Sequence, residues 1–332
     1  MWAASGCKVL TGIAATRRLG GVVLLLFLLA ADSTALYAHP GANQHRDNAR
    51  FAPACNHNPL TGDYLHEDLA YTSCFDGPDD DDGDGKPDFL GIPEWVSQEI
   101  IGKRVKGESS RRPSKWFLPT ALRGAAYAPT DDSYRYAVRP EPDWFDRGHL
   151  AQKYLAEKLG PEAAWNTHNL VNAVPQRHSF NAGIWLDLEC RTGAWANQDL
   201  NRPVWVIAGP IFVGGRARVQ QWLGERNELP VAIPDALFKV VIRVDQQGKL
   251  RTLSFIYPQQ DPSYAKRSTW NHAAKLVSLK RVEDLTGLRF NLRGATSPSD
   301  AAATDLWAYK VADLDPGCLK SSKWGASDAK HR

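Results

Sequence analysis

Three apolar runs rich in β-branched residues lie between positions 200 and 260 of the 332-residue chain. They are Val204–Phe212, Leu237–Val244 and Leu250–Tyr257, and glycine-containing segments separate them. Runs of this kind predict strands buried in one sheet, and the last two, joined by a short turn, predict a hairpin. Because strand and helix patterns do not alternate regularly, we predict an α+β fold with a central, mainly antiparallel sheet flanked by helices.

Helical periodicity occupies four segments outside these runs, namely residues 150–159, 176–190, 216–224 and 268–279. The chain is 43% hydrophobic and 23% charged, which is typical of a globular protein and excludes a disordered, collagen-like or polytopic membrane protein. Its length is sufficient for one large domain or two small ones with a buried core.

The N-terminus has the layout of a secretory signal peptide. Arg17 and Arg18 precede an uncharged run over residues 19–31, and small residues follow around Ala35 and Ala38. The run is shorter than the roughly 20 residues of a membrane span, although an uncleaved anchor is the alternative. We predict that residues 1–38 are removed and that the mature protein is periplasmic or secreted, with no membrane segment.

Removal of the signal peptide would delete Cys7 and leave four cysteines, an even number that predicts two disulfides in an exported protein. Three pairings are possible. We favour Cys55–Cys74, because these two are close in sequence, which leaves Cys190–Cys318. No C-x-x-C spacing supports a zinc site.

Two segments flank the part of the chain that contains the strands. Residues 39–89 are rich in His, Asn, Asp and Gly and poor in periodic hydrophobics, which predicts acidic loops tied by a disulfide. Residues 296–332 are rich in Ala, Ser, Asp and Lys, and predict a C-terminal tail docked by Cys318, with Trp307 and Tyr309 as further contacts.

Charge is unevenly distributed, although the formal net charge is only +3. Ten acidic residues and one lysine lie between Glu67 and Glu94, whereas seven basic residues and one glutamate lie between Lys103 and Arg123. Each run is compatible with a solvated face. The basic run also suggests a surface that faces a polyanion.

The acidic run contains an Asp-x-Asp-x-Asp-Gly motif. Asp80, Asp82, Asp84 and Asp88 occupy positions 1, 3, 5 and 9 of a calcium loop, but position 12 is Gly91 instead of the usual glutamate. The motif therefore predicts either a calcium loop or an acidic surface turn.

A second cluster of polar residues begins at Asp146-Arg147-Gly148-His149, just before a helical pattern. The free amide groups of a helix start attract anions, and arginine adds a bidentate contact to phosphate. Histidine supplies a base that titrates near neutrality. The tetrapeptide by itself is also compatible with a surface turn.

Further along the chain, Asn181, Trp185 and Glu189 follow one another at intervals of four residues and would lie along one helix stripe. Asn181 and Glu189 would be separated by about 12 Å of helix rise. Both could serve one ion only if Glu189 acts through water, an arrangement that suits Mg²⁺. Alternatively, Asn181 is a helix cap, and we expect Trp185 and Leu188 to lie in the core.

Taken together, these motifs resemble those of the DNA/RNA non-specific endonucleases of the ββα-metal type. The matching segments are DRGH at 146–149, NAVPQ at 172–176 and NAGIWLDLE at 181–189. Similarity extends over roughly residues 90–295, beginning with IPEWVSQEI at 92–100, which resembles an early strand of the family. The resemblance implies a ββα-metal nuclease fold for this domain.

The resemblance also implies residue roles for catalysis. His149 would be the general base that deprotonates water for attack on phosphorus. Asn181 would be the one direct protein ligand of Mg²⁺, or of Mn²⁺ as an alternative, and Glu189 would hold a metal-bound water. Asn172 would support the site by hydrogen bonding, Arg147 would contact phosphate, and Asp146 would fix the loop that carries the base.

Two departures from the family pattern concern phosphate binding. The family often has an arginine four residues after the last glutamate of the motif, where this chain has Gly193, and Arg191 is the nearest substitute. An arginine near the start of the family domain could correspond here to Arg111, Arg112 or Lys115.

We therefore expect a secreted, Mg²⁺-dependent endonuclease that hydrolyses DNA and RNA with little sequence preference and leaves 5′-phosphates. The alternative is a secreted, calcium-stabilised protein that binds nucleic acid or another polyanion on a nuclease scaffold without turnover. A phosphodiesterase for small substrates is a third interpretation, which would require a closed pocket. DNA and RNA are the expected partners, and the oligomeric state stays open.

We predict that the loop from Asp80 to Asp88 binds Ca²⁺ weakly and structurally. Calorimetry on the wild type and on an Asp82→Ala/Asp84→Ala variant tests this prediction, because the variant lacks two of the four spaced carboxylates. The variant should lose the calcium response. An equal response in both proteins would reduce the loop to an acidic turn.

Overall fold

The computed structural model describes residues 47–58, 62–80, 89–102, 111–135, 143–199, 202–215, 219–224, 227–292, 295, 306–316 and 318. All of them belong to one unit that spans residues 40–332. The predicted signal peptide lies outside the described residues, as do Asp82, Asp84 and Asp88 of the predicted calcium loop.

Within the described residues, seven strands form one sheet, in the order β1-β2-β3-β6-β9-β10-β11, and every pair of neighbours is antiparallel. Two further pairs, β4 with β5 and β7 with β8, are separate from it. The strands are β1 (Tyr64–Glu67), β2 (Thr72–Phe75), β3 (Pro93–Ile100), β4 (Phe145–His149), β5 (Ala173–Arg177), β6 (Val204–Ile211), β7 (Trp222–Leu223), β8 (Val231–Ala232), β9 (Ala236–Val244), β10 (Leu250–Pro258) and β11 (Leu276–Val277).

The three apolar runs of the sequence are strands β6, β9 and β10, and they lie side by side in the sheet. Every residue of β6 is buried, as are the first seven of β9. A turn at Asp245, closed by the hydrogen bond from Gly248 N to Asp245 O (3.0 Å), joins β9 to β10. The predicted hairpin and the predicted α+β fold with an antiparallel sheet are therefore confirmed.

The N-terminal segment is more regular than the sequence predicts. Strands β1 and β2 lie within residues 39–89 and extend the sheet beyond β3, where loops were expected. Each has only four residues, which is too short for periodicity to reveal, and β2 gains its stability by pairing with β3. The predicted disulfide Cys55–Cys74 is present and ties the preceding loop to β2.

The helices differ from the sequence prediction at several places. They are α1 (Lys153–Ala156), α2 (Pro161–Asn166), α3 (His178–Phe180), α4 (Leu186–Asn197) and α5 (Leu279–Thr286), and a π-helical turn (Asn181–Trp185) joins α3 to α4. The prediction over 150–159 is confirmed by α1 and the 3-10 turn that follows it. No helix of the described residues is long and apolar enough to cross a membrane.

Two predicted helices are wrong. Where a helix was predicted over 216–224, the described residues contain strand β7. Where one was predicted over 268–279, the chain forms short 3-10 turns followed by strand β11. Trp270 and His272 of this segment reach the interior from successive short turns, not from one helix. Helix α5 begins only after this segment, where the Ser278 side chain accepts a hydrogen bond from Arg281 N.

The two faces of the sheet bury two separate cores. On β9, Leu237 belongs to the same core as Trp185, on the face that carries α4. Phe238 points the other way and belongs to the core that contains Val282 of α5. The alternation of side chains along a strand therefore decides which residues of β9 lie beneath α4.

The C-terminal segment lies along α4. The predicted disulfide Cys190–Cys318 is present. Trp195 Nε1 donates a hydrogen bond to Trp307 O (2.7 Å), and Asn197 Nδ2 donates one to Asp313 O (2.8 Å). These contacts fix the outer turns of α4 to residues that are distant in sequence.

We expect a Cys190→Ser/Cys318→Ser variant to lose about 2–5 kcal/mol of unfolding free energy, because the disulfide closes a long loop in the unfolded chain. Urea denaturation of the oxidised wild type and the variant measures this difference. Cys55→Ser/Cys74→Ser, which opens a loop of only 19 residues, is the comparison and should lose less. An unchanged midpoint in the first variant would contradict the expectation.

Candidate active site

The three sequence motifs lie on one ββα unit. Strands β4 and β5 pair in antiparallel register, with His149 opposite Ala173, and the chain leaves β5 directly into α3 and α4. Trp185 Nε1 at the start of α4 donates a hydrogen bond to the backbone oxygen of His149 (3.3 Å). The end of β4 and the beginning of α4 are thereby held together.

His149 is the last residue of β4 and packs against two aromatic rings. The ring centroids of Trp116 and His168 lie 4.5 and 5.1 Å from its own. Its Nε2 atom is buried and has no hydrogen-bond partner among the described residues. Burial, and then electrostatic interactions with His168, Arg112 and Lys153, hold the pKa of His149 well below the usual 6.5. The imidazole is therefore neutral at pH 7 and able to accept a proton.

Gly148 is required by the close approach of β5. A Cβ atom at this position would lie 2.2 Å from Cδ of Gln176, whose side chain is fully buried. Any larger residue would push apart the two strands and displace His149. The DRGH motif therefore requires glycine at this position for steric reasons, whether or not the segment binds an anion.

Asn172 holds the segment that follows His149. Its side chain is fully buried, and Oδ1 accepts a hydrogen bond from Ala151 N (2.7 Å). Nδ2 donates to the backbone oxygens of Ala151 (3.0 Å) and Thr167 (2.8 Å). Asn172 does not line the cleft, so its contacts suit a supporting role.

Three polar side chains contact the carboxylate of Asp146. Trp144 Nε1 donates to Oδ1 (3.1 Å), Asn181 Nδ2 donates to Oδ2 (3.0 Å), and His178 Nδ1 lies 2.9 Å from Oδ2. A carboxylate can only accept hydrogen bonds from these groups, which fixes the orientation of the Asn181 amide. The oxygen of that amide is left available as a ligand atom.

Glu189 of α4 is paired with a buried lysine. Its side chain is almost fully buried, and Oε1 lies 3.4 Å from Nζ of Lys239 on β9. Burial raises the pKa of the Glu189 carboxyl and lowers that of the Lys239 ammonium, and the attraction between the two charges opposes both shifts. The net effect raises the pKa of Glu189 to about 7, because burial outweighs the attraction of its one cationic neighbour.

A cleft of about 400 Å³ brings most of the predicted residues together. Of the ten residues considered for catalysis, metal binding or phosphate contact, six line it: Arg112, Asp146, Arg147, His149, Asn181 and Glu189. Arg111 is exposed and does not line it. Arg147 is held by its hydrogen bond to Asp131 Oδ1 (2.7 Å). Arg112, Arg147 and Lys153 make the cleft attractive to anions.

Arg191 and Lys115 do not line the cleft. Arg191 Nε donates to Asp187 Oδ2 (2.7 Å), and the Lys115 ammonium is exposed, 3.9 Å from a carboxylate oxygen of Asp132. Their predicted contacts with phosphate stay predictions. A side chain at Gly193 would meet Oδ2 of Asp315, because a Cβ there would lie 2.7 Å away.

The cleft residues that were not predicted from the sequence include Trp116, Gln152 and Lys153. Gln152 is 5% exposed, and neither of its amide atoms has a hydrogen-bond partner among the described residues. No sequence signal distinguishes such a glutamine from an exposed one. Lys239 was also missed, although a single charge inside the apolar run of β9 was a signal that could have identified it.

The sequence matches the DNA/RNA non-specific endonuclease family over residues 70–297. The chain belongs to this family. The match begins earlier than the resemblance seen in the motifs and includes β2, in agreement with the place of that strand in the sheet.

Individual relatives are moderately similar. The mitochondrial nuclease EXOG of Mus musculus is 27% identical over 210 residues, which cover 60% of this chain and 52% of the relative. The mitochondrial endonuclease G of Bos taurus is 26% identical over 201 residues, which cover 59% of this chain and 62% of the relative. The matched segments thus span about half to three-fifths of each relative's length.

A solved structure supports the fold. A chain in the crystal structure of the EndoG/EndoGI complex superposes with a TM-score of 0.53 and 19% sequence identity, and the match covers 74% of this chain and 97% of that one. The protein therefore has the ββα-metal nuclease fold predicted from its motifs.

Buried neutral histidines should make the protein less stable in acid. Burial lowers the pKa of His168 to about 4, so between pH 6.5 and 4 the unfolded chain binds a proton that the folded chain does not. This histidine should lower the unfolding free energy by about 1 kcal/mol at pH 5 relative to pH 7.5. The loss should be smaller in His168→Gln when urea denaturation is measured at both values. An identical loss in wild type and variant would contradict the assignment.

Proposed function

We propose that the protein is an exported, Mg²⁺-dependent endonuclease that hydrolyses phosphodiester bonds of DNA and RNA with little sequence preference. The observation that carries the proposal is the meeting, in one cationic cleft, of a neutral histidine with an amide and a carboxylate. Membership of the DNA/RNA non-specific endonuclease family supports it.

His149 is the general base of the proposed reaction. Its neutral imidazole accepts a proton from a water molecule, and the water oxygen forms a bond to phosphorus. The bond between phosphorus and the 3′-oxygen breaks, and the departing oxygen keeps the bonding electrons and takes a proton from solvent. One product therefore carries a 5′-phosphate and the other a 3′-hydroxyl. Asn172 keeps the backbone beyond His149 in place, and Trp185 holds the backbone oxygen of His149 itself.

The donor set of the cleft fits Mg²⁺, with Mn²⁺ as an alternative. Asn181 offers an oxygen whose direction is set by Asp146, and Glu189 offers a carboxylate on the next turns of the helix. Mg²⁺ prefers oxygen ligands and keeps several waters, so Asn181 would bind it directly and Glu189 through water. When bound, the ion would stabilise the negative charge that develops on the phosphate.

Basic groups of the cleft would bind the nucleic-acid backbone. Arg147 is pre-oriented by Asp131, and Arg112 is exposed at the same cleft. Contacts to phosphate position a nucleic acid but do not read its bases. An active site built on such contacts therefore accounts for low sequence preference and for action on both DNA and RNA.

Export to the periplasm or the medium is proposed from the signal-peptide pattern and is supported by the two disulfides, which persist in oxidising compartments. The relatives named above carry mitochondrial names, which describe those proteins. The calcium loop stays a prediction, because Asp80 is the one member of its four carboxylates within the described residues.

We expect His149→Ala to reduce nicking of a supercoiled plasmid by about 10²–10⁴-fold, since a general base contributes on that order. Filter binding in chelator should be nearly unchanged, because binding rests on the arginines. Asn181→Ala provides the contrast: its lost activity should recover partly at higher Mg²⁺, because it removes a ligand and not the base.

The control is His57→Ala, which removes an exposed histidine that does not line the cleft and should leave nicking unchanged. Wild-type nicking by His149→Ala would show that the proposed mechanism is wrong. Tight binding without any nicking by the wild-type protein would instead favour a polyanion-binding protein without turnover.

A further inference from the structure

Lys239 is a charged residue in the interior of a central strand. It is 1% exposed and lies on β9 between Phe238 and Val240, both of which are fully buried. Burial of an ammonium group is unfavourable unless another charge or a polar group compensates it. An apolar side chain at this position would satisfy the core equally well, so the contacts of Lys239 need an explanation.

Those contacts all lead to the candidate active site. Nζ of Lys239 lies 3.4 Å from Oε1 of Glu189 and 3.7 Å from the ring centroid of Trp185. The ammonium therefore contacts the carboxylate by charge and the indole through a cation–π interaction. The same indole donates its N–H to the backbone oxygen of His149 (3.3 Å).

We propose that Lys239 is a positioning residue that orients the carboxylate of Glu189 and thereby sets the metal affinity of the cleft. By holding Oε1, it restricts rotation of the carboxylate that lines the cleft. This inference rests on the proposed function, in which Glu189 holds a metal-bound water.

Lys158 provides a matched comparison within the same chain. It is 3% exposed, and its Nζ lies 3.0 Å from Oδ2 of Asp315 and 3.0 Å from Oδ1 of Asn197. Lys158 is thus as buried and as well paired as Lys239, but its partners join α4 to the C-terminal segment and do not line the cleft. A variant of Lys158 therefore measures the general effect of losing a buried, paired lysine, and this effect can be compared with the specific effect of losing Lys239.

The test is calorimetric titration with Mg²⁺ in the absence of nucleic acid, together with thermal unfolding of each variant. Lys239→Met should weaken Mg²⁺ binding by about 10–100-fold, the usual effect of removing a group that orients a metal-binding residue. Lys158→Met should lower the melting temperature and leave the Kd for Mg²⁺ unchanged. Unchanged Mg²⁺ affinity in folded Lys239→Met would overturn the proposal.

The double variant Glu189→Gln/Lys239→Met gives an answer even if Lys239→Met does not fold. It removes both buried charges, and a pair lost together is tolerated better than one partner left alone. If Lys239 acts through Glu189, the double variant should bind Mg²⁺ as Glu189→Gln does. A further tenfold weakening would show that Lys239 acts by another route and would overturn the proposal.

Glu189→Gln also separates this inference from the proposed function. If Glu189→Gln binds Mg²⁺ as tightly as the wild type, the metal-binding role of Glu189 is wrong, and the present inference falls with it. If Glu189→Gln binds weakly while folded Lys239→Met binds like the wild type, the role of Lys239 alone is wrong.

Discussion

The packing of Trp185 between the sheet and the end of β4 is the contact on which the candidate site depends. The indole is fully buried, its face contacts the Lys239 ammonium, and its N–H binds the backbone oxygen of His149. Phe180 and Tyr257 pack around it, with ring centroids 5.3 and 6.1 Å away. One side chain thereby connects His149, the proposed base at the end of a strand, with Glu189 on a helix, and anchors both to the sheet.

The same burial that builds the site also tunes its chemistry. A carboxylate partner would act to raise the pKa of a histidine, whereas His149 lies among aromatic rings and cations, and its pKa is lowered. In the proposed function, those cations would also attract a phosphate backbone. The cleft would then hold a neutral base beside an anion-binding surface, and the cations that bind phosphate would also help to keep the base neutral.

The sequence predicts strands and site residues correctly where neighbouring residues carry the signal. The central strands are eight or nine residues long and largely apolar, and the motif residues meet because they lie on one continuous ββα unit. The prediction fails where pairing with a distant strand determines the structure, as in the four-residue strands β1 and β2. Arg191 shows the same limit, because nothing in the sequence reveals that Asp187 holds its guanidinium. The role of Lys239 could not be predicted, because the sequence does not reveal that Glu189, fifty positions away on another element, faces it.

The disulfide between Cys190 and Cys318 has a consequence for the order of events during synthesis. Cys318 follows every strand of the sheet in the chain, so the bond forms only after all of them have been made. The helix that carries Glu189 is therefore covalently locked last, and only where thiols are oxidised. A chain still inside a reducing compartment would carry all the residues of the cleft, but the helix that presents one of them would lack its final restraint.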